Sequence, residues 1–320
     1  MVDADTYLYR SAVVLQKDSV MATYLPKNTK KEFKNKTEFK TWLKSQDKYV
    51  ESQFKLENIS KITGTVDDGF YSVKKKIEEI MESPYVRDVS FCIGGDAGNF
   101  RYNVGRILPY KGDRPEKPLL FAPLRDKVIK HLGKWGDIVV QPKSDIEVDD
   151  LVSMHAWKAW REKKDNVMIS YCDKDLNQIP GWRMDYWDYT KEPTFVGELE
   201  AYRFFCAQCL AGDKGVDNIQ GIHSLPNSLR ESLGIRKAKG GVTIETAKKL
   251  VEDYYSIEDL TSLVVKCYKE SYPEGHTLED GSIMSWVEVM DENARLLKLL
   301  EYSGQVFSFS ESAKKMGVEL

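Results

Sequence analysis

Acidic residues gather where apolar runs of this chain end: Asp3 with Asp5, Asp96, Glu147 with Asp149 and Asp150, Asp173 with Asp175, and Asp213 with Asp217. Each group alone has an ordinary role, because acids answer the macrodipole of a helix's first turn and serve as turn residues after strands. Turn propensity, however, does not ask separated segments to converge. If they converge, two carboxylates about 4 Å apart repel by about 4 kcal/mol at an effective dielectric near 20. Such a cluster must take up protons or bind cations. Oxygen-only donors favour Mg2+ or Mn2+ over Zn2+. Two such ions about 3.5–4 Å apart can activate a water and stabilise the leaving oxygen of a phosphodiester. The four His, at 131, 155, 223 and 276, are too scattered for a zinc or histidine-base site.

For the acids to meet, the intervening segments must present them on one rim, and their pattern supports this. Val2 begins a short apolar edge ending in Asp3, and Tyr7 to Leu15 reads as helix or strand. Residues 67–82 read as a helix, with Val73, Ile77, Ile80 and Met81 at helical spacing. Val89 to Ile93 reads as a buried strand halted by Gly94 and Gly95. Leu119 to Leu132 reads as a helix interrupted early by Pro123, Ile138 to Val140 as a strand, and Ser144 or Asp145 as the cap of the next helix. Val167 to Tyr171 is another buried strand. This alternation predicts an α/β layer with a largely parallel sheet, in which ligand sites collect at the carboxyl ends of strands. An extended stretch at 172–175 would put Asp173 and Asp175 on one side, and a helix opening at 147 would let Glu147 and Asp150 share a face. From about residue 195 the pattern turns helical, over Phe195–Leu210, Thr246–Tyr255, Ser256–Tyr268 and Met284–Glu301. We therefore expect a core over 1–200 that carries most of the acids and a helical region over 201–320 that completes the site through Asp213 and Asp217. The Lys- and aromatic-rich stretch 16–60 is expected to form an extended hairpin or arm.

Composition is that of a globular protein, 42% apolar, 30% charged and 11% aromatic. No apolar run approaches the roughly 20 residues of a membrane span, the first residues are acidic where a signal peptide is basic, and five Cys suggest reduced thiols. A cytoplasmic protein without a membrane partner is expected. The net charge of −3 hides its distribution: with nine of the 50 acids set aside as metal ligands, 47 Lys and Arg outnumber the rest. A dense acidic site inside a basic shell suits a metal-dependent enzyme acting on phosphodiesters.

Together these residues resemble the bacteriophage branch of the 5′ nuclease superfamily, the flap endonucleases and 5′-to-3′ exonucleases. Ile146-Glu147-Val148-Asp149-Asp150 resembles the family's Glu-Ala-Asp-Asp helix opening, and Ser170-Tyr171-Cys172-Asp173-Lys174-Asp175-Leu176 its Ser-x-Asp-Lys-Asp-Leu turn. Gly212-Asp213 with Asp217-Asn218-Ile219-Gln220-Gly221-Ile222 resembles the Gly-Asp-x-x-Asp-Asn stretch leading into a helix-hairpin-helix. Asn99-Phe100-Arg101 followed by Tyr110-Lys111-Gly112-Asp113-Arg114 resembles the base of the helical arch, and Val2-Asp3-Ala4-Asp5 the opening Val-Asp-Gly. These elements occur in the family's order over about residues 1–255.

The resemblance implies a PIN-like, largely parallel sheet flanked by helices, with a C-terminal helical extension containing an irregular helix-hairpin-helix. It implies that Asp3, Asp96, Glu147, Asp149, Asp150, Asp173, Asp175, Asp213 and Asp217 hold two Mg2+ ions, with Mn2+ able to substitute, directly or through water. Asp149, Lys111 and Arg114 would be catalytic, the two cations contacting the scissile or adjacent phosphate. Arg101, Lys111, Arg114, Gly221, Gly241 and Thr243 would contact DNA, with K+ at the helix-hairpin-helix. The implied substrate is DNA with a 5′ end, nick, gap or flap, or an RNA–DNA hybrid, cut by a monomer in phage replication, primer removal or recombination. The chain departs from the pattern in three places. Gly94 stands where the family has its second metal Asp, Asp213 and Asp217 are one residue further apart than usual, and Thr243 and Glu245 replace a Gly and a Lys of the hairpin. A structure-specific DNA-binding protein that has lost catalysis is thus the competing class, and an aspartyl-nucleophile phosphohydrolase built on Asp3 is a third. Cys206 and Cys209 and the helix-borne His155 are expected in the core. Trp182, Tyr186, Trp187 and Tyr189 are expected to pack a domain junction.

Overall fold

The computed structural model describes residues 1–320 apart from 47, 95–97, 113–115, 133–136, 141–145, 165–166, 172 and 233–241. In chain order the described elements are β1 (Val2–Asp3), α1 (Ala4–Val13), β2 (Gln16–Tyr24), β3 (Thr29–Phe33), α2 (Lys36–Lys44), β4 (Phe54–Ile62), α3 (Val66–Met81) and β5 (Ser90–Ile93). They continue with α4 (Phe121–Leu132), β6 (Asp137–Val140), α5 (Val148–Arg161), β7 (Met168–Tyr171), β8 (Gly181–Asp185), β9 (Thr194–Val196), α6 (Glu198–Ala211) and α7 (Asn227–Ser232). The last are α8 (Ile244–Glu252), α9 (Ile257–Ser271), β10 (His276–Thr277), β11 (Ile283–Met284), α10 (Trp286–Leu297) and α11 (Phe309–Lys315). The architecture is mixed α/β with a mainly parallel central sheet flanked by helices. Two compact units divide the chain: Met1–Asp3, Ser83–Pro115 and Val139–Leu320 form one, Ala4–Glu82 and Glu116–Ile138 the other.

The first unit is built on the sheet, whose described order is β6-β5-β1-β7-β8-β9. β1 lies parallel to β5 and β7, and β7 parallel to β8, so their carboxyl ends point the same way; antiparallel β9 closes one edge. α5 packs on β1, β5 and β7, burying Leu151, Val152 and Ala156 against Cys92 and Ile169. Short strands buried under a helix read as continuous apolar runs, which is why β5 and β7 stood out in the sequence. Helices α6, α8, α9, α10 and α11 form a second core around Phe205, Leu210, Val264, Tyr268, Met290 and Phe309. Cys206 and Cys209 lie inside that core, fully buried, and burial pushes both thiols up.

The second unit contains the antiparallel sheet β3-β2-β4. The expected arm over 16–60 is instead a small folded layer, because α2 lays Phe39 and Trp42 across the sheet against Phe33 and Phe54. Phe39 is fully buried, so these rings bury one another. α1, α3 and α4 pack together, with Val73, Ile77 and Ile80 of α3 facing inward. The stretch after Asp3 is therefore helix, not strand. Pro123 falls in the first turn of α4, where its missing N–H costs nothing.

Other expectations need correction. The stretch starting at Phe195 is not helical at first: Thr194–Val196 pairs with β8, and α6 begins only at Glu198. The last long helix starts at Trp286 and stops at Leu297, after which the chain runs extended from Lys298. His155 is exposed on α5, not buried. Tyr186 and Tyr189 are buried, whereas Trp187 is 70% exposed.

Candidate active site

Four of the acid groups meet in the first unit, and the parallel strands explain how. Asp3 ends β1 in register with Cys92 of β5, and Asp173 follows β7 on the other side of β1. Glu147 caps α5, which puts Asp149 and Asp150 in its first turn. Ser144 and Asp145, the expected caps, lie outside the described residues. Asp173 does not continue the strand. Its Oδ1 accepts the Asp175 N–H at 2.9 Å and opens a single 3-10 turn, Lys174–Gln178. A short carboxylate bonds its own backbone two residues on, so the expected extended pair is replaced by a cap and a turn.

Asp213 and Asp217 arrive on a tight loop. The N–H groups of Asp213 and Ile219 each donate to the other's carbonyl, at 2.8 and 3.0 Å, and the Ile222 N–H donates to the Leu210 carbonyl. Gly212 and Gly221, with φ of 68° and 63°, lie where these chains touch. A Cβ on Gly212 would stand 2.3 Å from the Ile219 carbonyl oxygen, and one on Gly221 2.5 Å from the Ala211 carbonyl carbon. Glycine is required at both. Lys111 is anchored to this loop: its N–H donates to the Asp217 carbonyl at 3.1 Å, and its own φ is 54°. Few residues other than glycine adopt that conformation, and strain of this kind concentrates at functional sites.

The electrostatics divide the acids. Glu147 accepts from the Tyr110 hydroxyl at 2.9 Å and from Lys111 Nζ, which also lies 3.8 Å from Asp217. Burial pushes Glu147 up, but the Lys111 and Arg101 charges outweigh it and its carboxyl is held low. Lys174 bridges Asp213 at 2.7 Å and Asp175 at 3.2 Å. Burial raises Asp175, with the Asp173 charge adding and Lys174 opposing. Burial likewise pushes Asp217 up to about 6 against the pull of Lys111. Asp149 stands apart. Its Oδ1 is buried and accepts no hydrogen bond from the described residues. Burial, then the charges of Asp3, Asp173, Glu147 and Asp175, push its carboxyl well above the usual range.

These residues fit a divalent cation by donor chemistry. A buried carboxylate oxygen without a partner among the described residues, surrounded by four more carboxylates, asks for a hard positive charge. Among the described residues no three acids, His or Cys are already arranged as a cage for an ion. Two ammonium groups, of Lys111 and Lys174, sit between the carboxylates instead.

Asp150 and Arg101 are placed differently from the rest. Arg101 donates to both Asp150 oxygens at 2.6 and 2.9 Å, and Asp150 also accepts the N–H groups of Glu147 and Leu300. Asp150 is thus saturated by protein donors, and Arg101, 1% exposed, has its guanidinium turned inward and away from solvent DNA. The expected metal and DNA contacts are replaced at this pair by a buried ion pair. Gly221 serves the loop crossing, and Thr243 caps α8 by accepting the Thr246 N–H. Asp96, Arg114 and Gly241 lie outside the described residues. Sequence reasoning gave Tyr110 and Lys174 no role, although both stand within the quoted motifs, and it missed Gln208. Gln208 carried no signal within an apolar helix.

No family model matches the chain. Among solved structures it is similar to the T5 D15 protein co-crystallised with metal ions, at 14% identity and a TM-score of 0.43, over 71% of this chain and 79% of that one. It is also similar to a mutant of the T5 5′-exonuclease, at 13% identity and a TM-score of 0.42, over 71% and 78%. A third is the bacteriophage T5 D15 flap endonuclease in a pseudo-enzyme–product complex with DNA and metal ions, at 14% identity and a TM-score of 0.39, over 71% and 90%. The likeness is distant.

Proposed function

We propose that this chain is a divalent-metal-dependent 5′ nuclease that hydrolyses phosphodiesters at the 5′ end of DNA, as exonuclease, flap endonuclease or both. The single observation that carries this is the orphaned Asp149 oxygen among Asp3, Glu147, Asp173 and Asp175. Together with Asp213 and Asp217, these residues would hold two Mg2+ ions, with Mn2+ able to replace them. Asp96, which lies outside the described residues, would contribute where Gly94 cannot. When bound, the ions polarise the phosphoryl group and ease deprotonation of the attacking water.

The chain's own groups do the rest. Tyr110 holds Glu147 through its hydroxyl, which burial and the Glu147 charge keep protonated and therefore a donor. Lys111, 10% exposed, points its ammonium among the carboxylates, where it would neutralise charge building on the phosphate. Arg114 would grip an adjacent phosphate bidentately. The core over 1–200 would supply the chemistry, and the region over 201–320 would complete the site and hold duplex near Gly221, Gly241 and Thr243, with K+ as the counterion. Products would carry 5′-phosphate and 3′-hydroxyl groups. A monomer in the cytoplasm, acting in phage replication, primer removal or recombination, is the setting the sequence resemblance supports.

The test is a panel of 5′-labelled blunt, nicked, gapped, flapped and hybrid substrates, run with Mg2+ on the wild type and on Asp149→Asn. Cleavage by the wild type alone supports the proposal. Tight, salt-dependent binding to forked DNA without turnover would instead favour a binding protein whose lysine-filled acid pocket has lost catalysis.

A further inference from the structure

Asp175 is oriented by two buried amides. Gln208 of α6, 2% exposed, donates Nε2 to Asp175 Oδ1 at 2.7 Å. Its Oε1 accepts from Gln178 Nε2 at 2.7 Å. Gln178, also 2% exposed, donates to the Leu297 carbonyl at 2.8 Å and accepts the Leu299 N–H at 3.2 Å. A backbone carbonyl only accepts and a backbone N–H only donates, so residues 297 and 299 fix which end of the Gln178 amide is which. Gln208 must then turn its carbonyl to Gln178 and its amino group to Asp175. The same stretch serves the neighbouring acid: the Leu296 and Lys298 carbonyls each accept from Arg101 at 2.8 Å, and the Leu300 N–H donates to Asp150 at 3.0 Å. Aliphatic side chains would fill the space of the two glutamines without the cost of burying amides. What the glutamines add is an N–H aimed at Asp175.

We infer that Gln208 and Gln178 are positioning residues that transmit the backbone of residues 297–299 to Asp175 and hold its carboxylate for the divalent cation. This rests on the metal-centre reading above. Groups that orient metal ligands typically change metal affinity or activity by about 10–100-fold when removed. The experiment is a Mn2+ titration of the full chain, followed by electron paramagnetic resonance, alongside kcat and KM on flap DNA at limiting and saturating Mg2+. Gln208→Met should weaken Mn2+ binding by about tenfold or more, lose turnover at limiting Mg2+ and recover most of it at saturation, with KM for DNA unchanged. Gln178→Met should shift both in the same direction, and the double variant should be no worse than Gln208→Met, as expected for one chain of bonds. If Gln208→Met does not fold, Gln178→Met, which keeps the Asp175 donor in place, carries the test. Wild-type Mn2+ affinity in the folded variants overturns the inference alone, whereas a wild type that binds no Mn2+ overturns the metal centre with it.

Discussion

Arg101 and Asp150, 49 residues apart, form a two-pronged ion pair with side-chain exposures of 1% and 0%. Carbonyls of Leu296 and Lys298 take two more Arg101 donors and the Glu147 carboxylate lies 3.5 Å from the fifth, so the pair stitches three separated segments of the first unit. Breaking a buried pair strands an uncompensated charge and costs about 3–5 kcal/mol. Asp150→Asn and Arg101→Met should each lower stability by about that amount in urea unfolding. Arg101→Lys should not restore it, since an ammonium cannot reproduce the fork. Losses below about 1 kcal/mol would show the pair to be incidental.

Glu292 gives the pH dependence a defined sign. Its Oε1 accepts the Arg106 and Ile107 N–H groups at 2.8 Å each, yet burial raises its carboxyl above the usual range. The folded state thus holds this proton more tightly than the unfolded state. The stabilisation is full below the unfolded pKa and is lost as pH rises through the folded one. Glu292→Gln keeps an acceptor for both N–H groups. It should be more stable than wild type at pH 7.5, and that advantage should vanish below about pH 4, where both side chains are neutral. Chemical unfolding at the two pH values checks this.

Gly212 and Gly221 should tolerate no side chain. The positive φ alone costs on the order of 1–3 kcal/mol, and each Cβ would also strike backbone. Gly212→Ala and Gly221→Ala are expected to lose at least that much stability and to displace Asp213 and Asp217. Melting curves with and without Mn2+ would register both effects, the second as a smaller rise in Tm on adding metal.

Lys111 carries the clearest kinetic expectation. If its ammonium stabilises charge on the phosphate, Lys111→Ala should lower kcat by about 10²–10³-fold, the usual cost of removing one such donor. KM should barely change. A variant in which KM rises and kcat holds would mark Lys111 as a DNA-binding group only.

The strand ends and the acid groups were legible because each is a local signal: β5 and β7 are short apolar runs, and Glu147 to Asp150 open a helix. Polarity decided by distant partners was not legible. The inward turn of Arg101 depends on Asp150 and on carbonyls nearly 200 residues away, and Gln208 looked like any polar residue in an apolar helix. The β8–β9 pair escaped because a three-residue strand running directly into α6 leaves periodicity too little to count. The layer over 16–62 was missed for a different reason. Its core is a handful of aromatics whose spacing matches an arm as well as a sheet crossed by a helix.

Calorimetric titration of Mn2+ into the metal-free chain and into Asp149→Asn tests the carboxylate pocket most directly. Saturable binding by the wild type is expected, weakened about tenfold or more by Asp149→Asn, while the variant melts no lower than wild type in chelator because a buried carboxyl crowded by other acids has gone. Equal Mn2+ affinity in the two proteins would contradict it.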